Sequence, residues 1–410
     1  MDAEVVIIGG GVAGCALATR LARSGRSVIV LEKERVYRDQ IRGEAIMPWG
    51  YLEAVELGFA DVIMGTPGVS VISRFVPYDE TWPAQKARAR ARDLSTVLPG
   101  APGVIGVGHP ELRQALADSA ASAGAVIVRG VGRAQVSPGP TPSVGYDLDG
   151  SRRSHSCRLV VVADGKNSAT RAALGIGLVT TRPRVMLAGL LVDDGGRWNR
   201  ADTSIAVDDR NQFTVLPRAD ARIRLYVGRR ADDPELFNGP DRVARFLEAY
   251  RSSIFPADTL LAAAAPVGPC ATFPMTDAWT DEILSPGVVL LGDAAGWSNP
   301  VTAQGLSVAL RDAKVLGELL EEQREWTPET LRGYPLERSE RMRRLRFATA
   351  LSDLLSGFGM PDRRPRRTRM LGLLKRQPEL GAALGTVHGG PWSVAADGFT
   401  PDKLTTLALA

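Results

Sequence analysis

Val5-Val6-Ile7-Ile8-Gly9-Gly10-Gly11-Val12-Ala13-Gly14 decides the reading of this chain. Four β-branched apolar residues predict a short buried strand, and the glycines then break it. The pattern G-x-G-x-x-G falls on Gly9, Gly11 and Gly14. Gly9 allows a tight turn off the strand, Gly11 lets the backbone approach a pyrophosphate, and Gly14 lets the following helix pack closely on the sheet. Val12 and Ala13 open that helix, whose free N–H groups and dipole favour a phosphate. The helix is expected through about Arg23, with a second buried strand at Val28–Leu31 ending in Glu32 and Lys33. A carboxylate at that strand end can accept both ribose hydroxyls of an adenosine. Residues from 5 onward therefore read as a β-α-β unit that binds a dinucleotide.

Working outward, two later strand ends carry motifs of their own. Val160-Val161-Val162-Ala163-Asp164-Gly165-Lys166-Asn167-Ser168-Ala169-Thr170-Arg171 is a buried strand followed by an Asp-Gly turn, with Ser168 and Arg171 one turn apart on the next helix. Val288-Val289-Leu290-Leu291-Gly292-Asp293-Ala294-Ala295 delivers a glycine and an aspartate at another strand-to-helix junction, where Asp293 can hold a ribityl hydroxyl. Pro300 and Thr302-Ala303-Gln304-Gly305-Leu306 follow and open a long amphipathic helix. Its dipole would stabilise negative charge on a ring placed at its N-terminus.

Between these motifs the pattern changes. Alternating runs at 185–192, 203–207, 212–216 and 222–227 predict an antiparallel sheet. The tail from 327 reads as mainly helical, and Arg363–Arg369, interrupted by Pro365, reads as a solvated loop.

Composition narrows the class. The chain has 410 residues, 44% hydrophobic and 23% charged, with a net charge of +4. That length suits two domains plus helices, and the small dispersed charge excludes a nucleic-acid partner. Cys15, Cys157 and Cys270 show no C-x-x-C spacing, so neither a disulfide framework nor a metal site is expected. With no leader-like start and no membrane-length apolar run, the expected location is the cytoplasm. No catalytic base is visible: His109 at a helix start, His155 in a polar turn and His388 in a glycine-rich tail read as surface histidines.

Taken together, the three motifs resemble those of the p-hydroxybenzoate-hydroxylase-like class A FAD-dependent monooxygenases. The resemblance covers about residues 4–340. Gly9, Gly11, Gly14 and Glu32 match the dinucleotide fingerprint. Asp164, Gly165, Ser168 and Arg171 match D-G-x-x-S-x-x-R, while Gly292, Asp293, Ala294, Ala295, Pro300, Gln304 and Gly305 match G-D-A-A…P…G-Q-G. Arg113 and Leu116 keep part of the family's R-x-x-L-x-x-x-L helix, and Tyr334 with Arg338 resembles a late structural pattern. Where the family often has His after G-D-A-A, this chain has Gly296-Trp297.

The resemblance implies an α/β fold: a Rossmann-like FAD-binding domain with a parallel sheet, an antiparallel-sheet substrate domain and C-terminal helices. We expect the first at 1–75, 100–180 and 276–326, the second at 76–99 and 181–275, and the helices at 327–410. It implies FAD contacts at Gly9, Gly11, Val12, Ala13, Gly14, Glu32, Lys33, Arg42, Gly43, Arg113, Val131, Asp164, Gly165, Gly292, Asp293, Gln304, Gly305 and Leu306. Arg42 and Pro300 are the catalytic candidates, Arg42 near the nicotinamide or substrate and Pro300 shaping the oxygen pocket. Met47, Trp49, Phe273 and Trp297 are candidate substrate contacts.

The implied reaction reduces FAD with NAD(P)H, forms a flavin C4a-hydroperoxide with O2 and oxygenates a small aromatic or polyketide-like molecule. Three alternatives stay open. A flavin-dependent halogenase would need a separate flavin reductase, but no two tryptophans here have its W-x-W spacing. A geranylgeranyl-reductase-type enzyme would not need O2. A non-catalytic protein would keep only the adenosine site.

Overall fold

The computed structural model describes residues 2–410 except 42, 81 and 361. Strands Val288–Leu290, Leu159–Val162, Val5–Ile8, Val28–Glu32 and Val126–Arg129 lie side by side in that order, all parallel. Leu284–Ser285 adds an antiparallel edge. All four residues of Val5–Ile8 are buried, as expected of a central parallel strand covered on both faces. Helices Val12–Arg23, His109–Ser122 and Gly305–Glu322 pack against this sheet and one another. The same core takes Val144, Tyr146 and Leu148 from the antiparallel strands Gln135–Ser137, Ser143–Leu148 and Ser151–Ser156. The polar turn expected at His155 is strand instead: Ser-Arg-Arg-Ser-His-Ser at 151–156 carries no apolar alternation and is ordered by pairing with Ser143–Leu148.

The second sheet is antiparallel through Ala265–Pro266, Val185–Asp193, Arg222–Arg230, Gln212–Pro217 and Asp202–Val207. Arg74–Phe75 joins parallel to Asp202–Val207, and Ala271–Pro274 pairs with Val185–Asp193. Side chains alternate faces along a strand. Ala188, Leu190, Val192, Ile223, Leu225 and Val227 therefore pack outward on Phe246 of the helix Arg242–Ala249. Leu187, Gly189, Arg224 and Tyr226 take the opposite face, where Gly189 meets Ile41, Arg224 binds Asp39 and Glu44, and Tyr226 binds Glu44.

The C-terminal region centres on the helix Gly333–Ser356. Arg363–Arg376 and Pro401–Leu409 fold back on it through Leu351, Met370, Leu380, Ala383, Phe399 and Leu407. The arginine run is thus a helix and not the expected loop. Pro365 sits in its first turn, where its missing N–H costs nothing. Arg363 and Arg364 pair with Glu80, and Arg367 pairs with Asp79, so these cations dock the tail on the second sheet's domain.

Candidate cofactor site

The glycine loop is held by contacts that exclude side chains. Gly9 has φ +110°, and a β-carbon there would lie 2.3 Å from the Ala163 carbonyl oxygen. One at Gly14 would lie 2.1 Å from the Gly9 carbonyl oxygen. Gly11 is different: a β-carbon there meets nothing within 4 Å, so the space above the helix start is open. Gly10, a residue the motif leaves unspecified, donates its N–H to Glu32 Oε2 at 2.7 Å, and its carbonyl accepts from the Tyr37 hydroxyl at 2.8 Å.

Glu32 is buried and also accepts from the Glu34 N–H at 2.8 Å and from Arg113 Nη2 at 3.3 Å. The Arg113 guanidinium lies 3.9 Å from the Tyr37 ring centroid. Val131 adjoins this end, its N–H donating to the Glu32 carbonyl, while Lys33 is exposed. Tyr37 is therefore a site residue that sequence reasoning missed; an aromatic five residues past Glu32 gives no motif.

The Gly292 junction meets this loop directly. A β-carbon at Gly292 would stand 3.1 Å from the Ala13 β-carbon. Asp293 follows on the short turn Gly292–Ala295. That turn is fixed from behind: Arg338 donates to the carbonyls of Gly292, Ala295 and Gly296, and Tyr334 donates to the Leu290 carbonyl. Arg338 and Arg341 both bind Asp312, at 3.0 and 2.6 Å. Burial pushes the Asp312 carboxyl up, but the two guanidiniums prevail and hold it below the usual range. The D-G motif reaches the same turn. Ser168 caps its helix by accepting from the Arg171 N–H, and Arg171 Nη1 donates to the Ala294 carbonyl at 3.2 Å.

Several buried polar atoms along this cleft have no protein partner: Asp164 Oδ1, Arg113 Nε and Arg171 Nε. A β-carbon at Gly165 or Gly305 would likewise meet open space. Unpaired buried groups are costly, so these atoms, together with the open positions at Gly11, Gly165 and Gly305, fit an extended polar ligand such as FAD.

At the far end, Gly305 and Leu306 begin the long helix. Leu306 and the His109 ring both flank Gly43, whose hypothetical β-carbon would lie 3.1 Å from Leu306 and 3.4 Å from His109. His109 thus sits beside a motif residue that sequence distance had hidden. Arg42 lies outside the described residues. Its neighbours are anchored to the second sheet. Arg224, fully buried, donates to Glu44 Oε2 at 2.6 Å and to Asp39 Oδ2 at 2.6 Å, and Tyr226 OH donates to Glu44 at 3.1 Å. Burial pushes the Glu44 carboxyl up, against the pull of Arg224.

Pro300 lies on the turn Pro300–Thr302. Asn299 donates its N–H to Asp277 Oδ1 at 2.9 Å, and Thr302 shares a hydrogen bond with Thr349 at 3.0 Å. Asp353, one helical turn beyond Thr349, is pushed up to about 7 by burial and then by Asp277.

The four candidate substrate contacts fall on three separate elements. Met47 and Trp49 are packed in a cluster with Ala45, Leu216, Val308 and Met342. Trp297 pairs with Ala278 and lies under Lys166, whose Nζ is 4.6 Å from its ring centroid. Phe273, opposite Leu187, shares the inner face of the second sheet with Tyr226. The Gln304 side chain is also turned away from the cleft: it accepts from Trp49 Nε1 at 2.9 Å and donates to the Thr302 and Val387 carbonyls. His388, read as a surface residue, is half-buried edge-on to Phe75, and burial pushes its ring down to about 4.

Fold and site define a dinucleotide-binding protein with a second, antiparallel sheet over the far end of the cleft. The family model described as an FAD binding domain matches residues 2–348, and the chain belongs to that family. Its cofactor is FAD, as the motifs led us to expect. Squalene epoxidase 2, mitochondrial, of Arabidopsis thaliana is 26% identical over 337 residues, which is 77% of this chain and 54% of the relative. The chain thus spans about half the length of that curated relative. Among solved structures, p-nitrophenol 4-monooxygenase of Pseudomonas putida superposes with a TM-score of 0.76 at 18% identity, covering 94% of this chain and 98% of the other. An anhydrotetracycline hydroxylase of Streptomyces rimosus gives 0.72 at 21%, covering 95% and 76%. These two likenesses show the fold.

Proposed function

We propose that this protein is an FAD-dependent monooxygenase that uses NAD(P)H and O2 to hydroxylate or epoxidise a small, electron-rich organic molecule. The observation that carries the reading is the meeting of Ala13 and Gly292, which puts two phosphate- and ribityl-binding junctions on one cleft. Bound FAD would supply the electron transfer and oxygen activation; the protein supplies position, water exclusion and electrostatics.

Gly11, Val12 and the helix start would hold the pyrophosphate, Glu32 the ribose and Asp293 the ribityl chain. Gly165 and Asp164, with its unpaired oxygen, would hold the central part of the molecule. Gly305 and Leu306 would present backbone N–H groups to the ring edge, and Gly43 and Arg42 its other side. Phe273 and Tyr226, on the inner face of the second sheet, would roof the substrate, with Pro300 shaping its reacting end. That a squalene epoxidase is among the matched relatives supports keeping alkenes beside phenols and polyketide-like aromatics as substrates. Among the described residues no helix is long and apolar enough to cross a membrane. We keep the cytoplasm as the proposed location, and the three buried, unpaired cysteines support a reducing compartment.

The test is NAD(P)H oxidation with O2 uptake over a panel of phenols, indoles, polyketide aromatics and terpenoid alkenes. Substrate-stimulated oxidation with a product heavier by one oxygen atom supports the proposal. Turnover without O2 would favour the reductase, a chlorinated product needing a separate flavin reductase the halogenase, and a protein without a flavin absorption band the non-catalytic reading.

A further inference from the structure

The family model ends at residue 348, yet a turn well beyond it touches the cofactor-binding helix. This turn, Thr386–Gly389, sits in a tail packed on the Gly333–Ser356 helix. Two contacts hold it and the residue after it to the site, and a third ties the following segment to the Gly333–Ser356 helix. The Val387 carbonyl accepts from Gln304 Nε2 at 3.0 Å. Gly390, at φ +89°, lies against Trp49 so closely that a β-carbon would be 2.9 Å from Trp49 Cβ. Arg344 Nη1 donates to the Pro391 and Val394 carbonyls, at 3.2 and 3.0 Å.

Gln304 is the joint. It is 1% exposed, and its amide makes three bonds: from Trp49 Nε1 at 2.9 Å, to the Thr302 carbonyl at 2.6 Å and to the Val387 carbonyl at 3.0 Å. Its orientation is forced, because an indole N–H can only donate and carbonyls can only accept. Ala303, just before it, is a non-glycine residue in the left-handed region at φ +51°. Such a conformation costs of order 1 kcal/mol or more and persists where neighbours over-determine it. Here Thr302 is bonded to Thr349 on one side and to Gln304 on the other. The backbone that begins the flavin-facing helix is therefore held in a strained shape by a residue that also grips the tail.

We propose that Gln304 is a positioning residue that couples docking of the 386–390 turn to the shape of the helix start, so that FAD binding and tail closure stabilise each other. The inference rests on FAD occupying the cleft. Such coupling is reciprocal: whatever FAD gains from the docked tail, the tail gains from FAD. Removing the Gln304 amide takes a partner from two carbonyls and an indole N–H, a loss of roughly tenfold in an equilibrium constant for each group left buried without another.

The experiment is hydrogen exchange of peptides spanning 378–399, with and without FAD, beside FAD affinity from flavin fluorescence. In the wild-type chain, FAD should slow exchange of the tail by about tenfold. Gln304→Leu should remove that slowing and weaken FAD by roughly tenfold. Trp49→Phe, which keeps both Gln304 donor bonds, should retain most of the coupling. Gln304→Glu, which keeps the acceptor for Trp49 and loses both donors, should behave like Gln304→Leu and serves if the leucine variant unfolds. FAD binding without any change in tail exchange, or a Gln304→Leu protein that retains the change, would overturn the proposal. A chain that binds no FAD would instead overturn the cofactor reading, and this inference with it.

Discussion

The side chain of Ile41 fills the notch left by the missing side chain of Gly189. A β-carbon on Gly189 would lie 2.3 Å from Ile41 Cγ2. Ile41 itself is buried and stands at φ +55°, a conformation disfavoured for a β-branched residue. The segment before Gly43 is thus pressed into the second sheet at one point, and Asp39 and Glu44 pin it on either side through Arg224.

From this follows the first prediction. Gly189→Ala should expel Ile41 and disturb the Gly43 loop, destabilising the protein by about 1–3 kcal/mol as overpacking does. It should also raise the fraction of NAD(P)H oxidised without product. Thermal unfolding and a hydrogen peroxide assay measure the two effects; an unchanged coupling ratio would separate the loop from the chemistry.

Arg224→Met should cost more, about 3–5 kcal/mol, because Glu44 would be left buried without its main partner. Glu44→Gln in the same background should recover part of that loss by removing the stranded charge. A double-mutant cycle in denaturant checks the expected coupling; additive losses would mean that the two residues act independently.

Gly9→Ala combines φ +110° with a β-carbon 2.3 Å from the Ala163 carbonyl oxygen. It should reduce FAD content far more than Gly25→Ala, where φ is +82° and a β-carbon meets nothing within 4 Å, at the far end of the Val12–Arg23 helix. The flavin-to-protein absorbance ratio of the purified variants reports this directly.

Asp353 carries a pH signature. Burial, then the like charge of Asp277, lifts its folded-state value to about 7, above that of the unfolded chain. Its contribution is therefore fully present at pH values below the unfolded carboxylate range. It declines as pH rises, and is gone once pH passes about 7. Asp353→Asn should be more stable than wild type at pH 8, by about 2 kcal/mol after allowance for solvent screening, and equal to it near pH 4. Tm measured across that range decides the matter; a variant equally stable at both ends would disprove it.

The Val5–Ile8 strand, the glycine loop and the three motif junctions were legible in the sequence because each is a local event. A four-residue apolar run can only be a buried strand here, and a glycine with a fixed offset has a backbone reason to be there. The alternating runs of the second sheet were legible for the same reason: a half-buried strand writes its two faces into adjacent residues.

The sequence alone determined the buried strands of the first sheet, the alternating strands of the second and the three motifs whose resemblance pointed to FAD. Only the tertiary structure decided who meets whom. Nothing near Ala13 announces Gly292, nothing near Gln304 announces Val387, and an isoleucine at 41 gives no hint of a glycine at 189. His388 and the arginines of 363–369 looked solvated because their partners lie far away in the chain. Such contacts depend on complementary shape and on pairing buried charge across the fold, and those relations carry no period or spacing that a linear reading could detect.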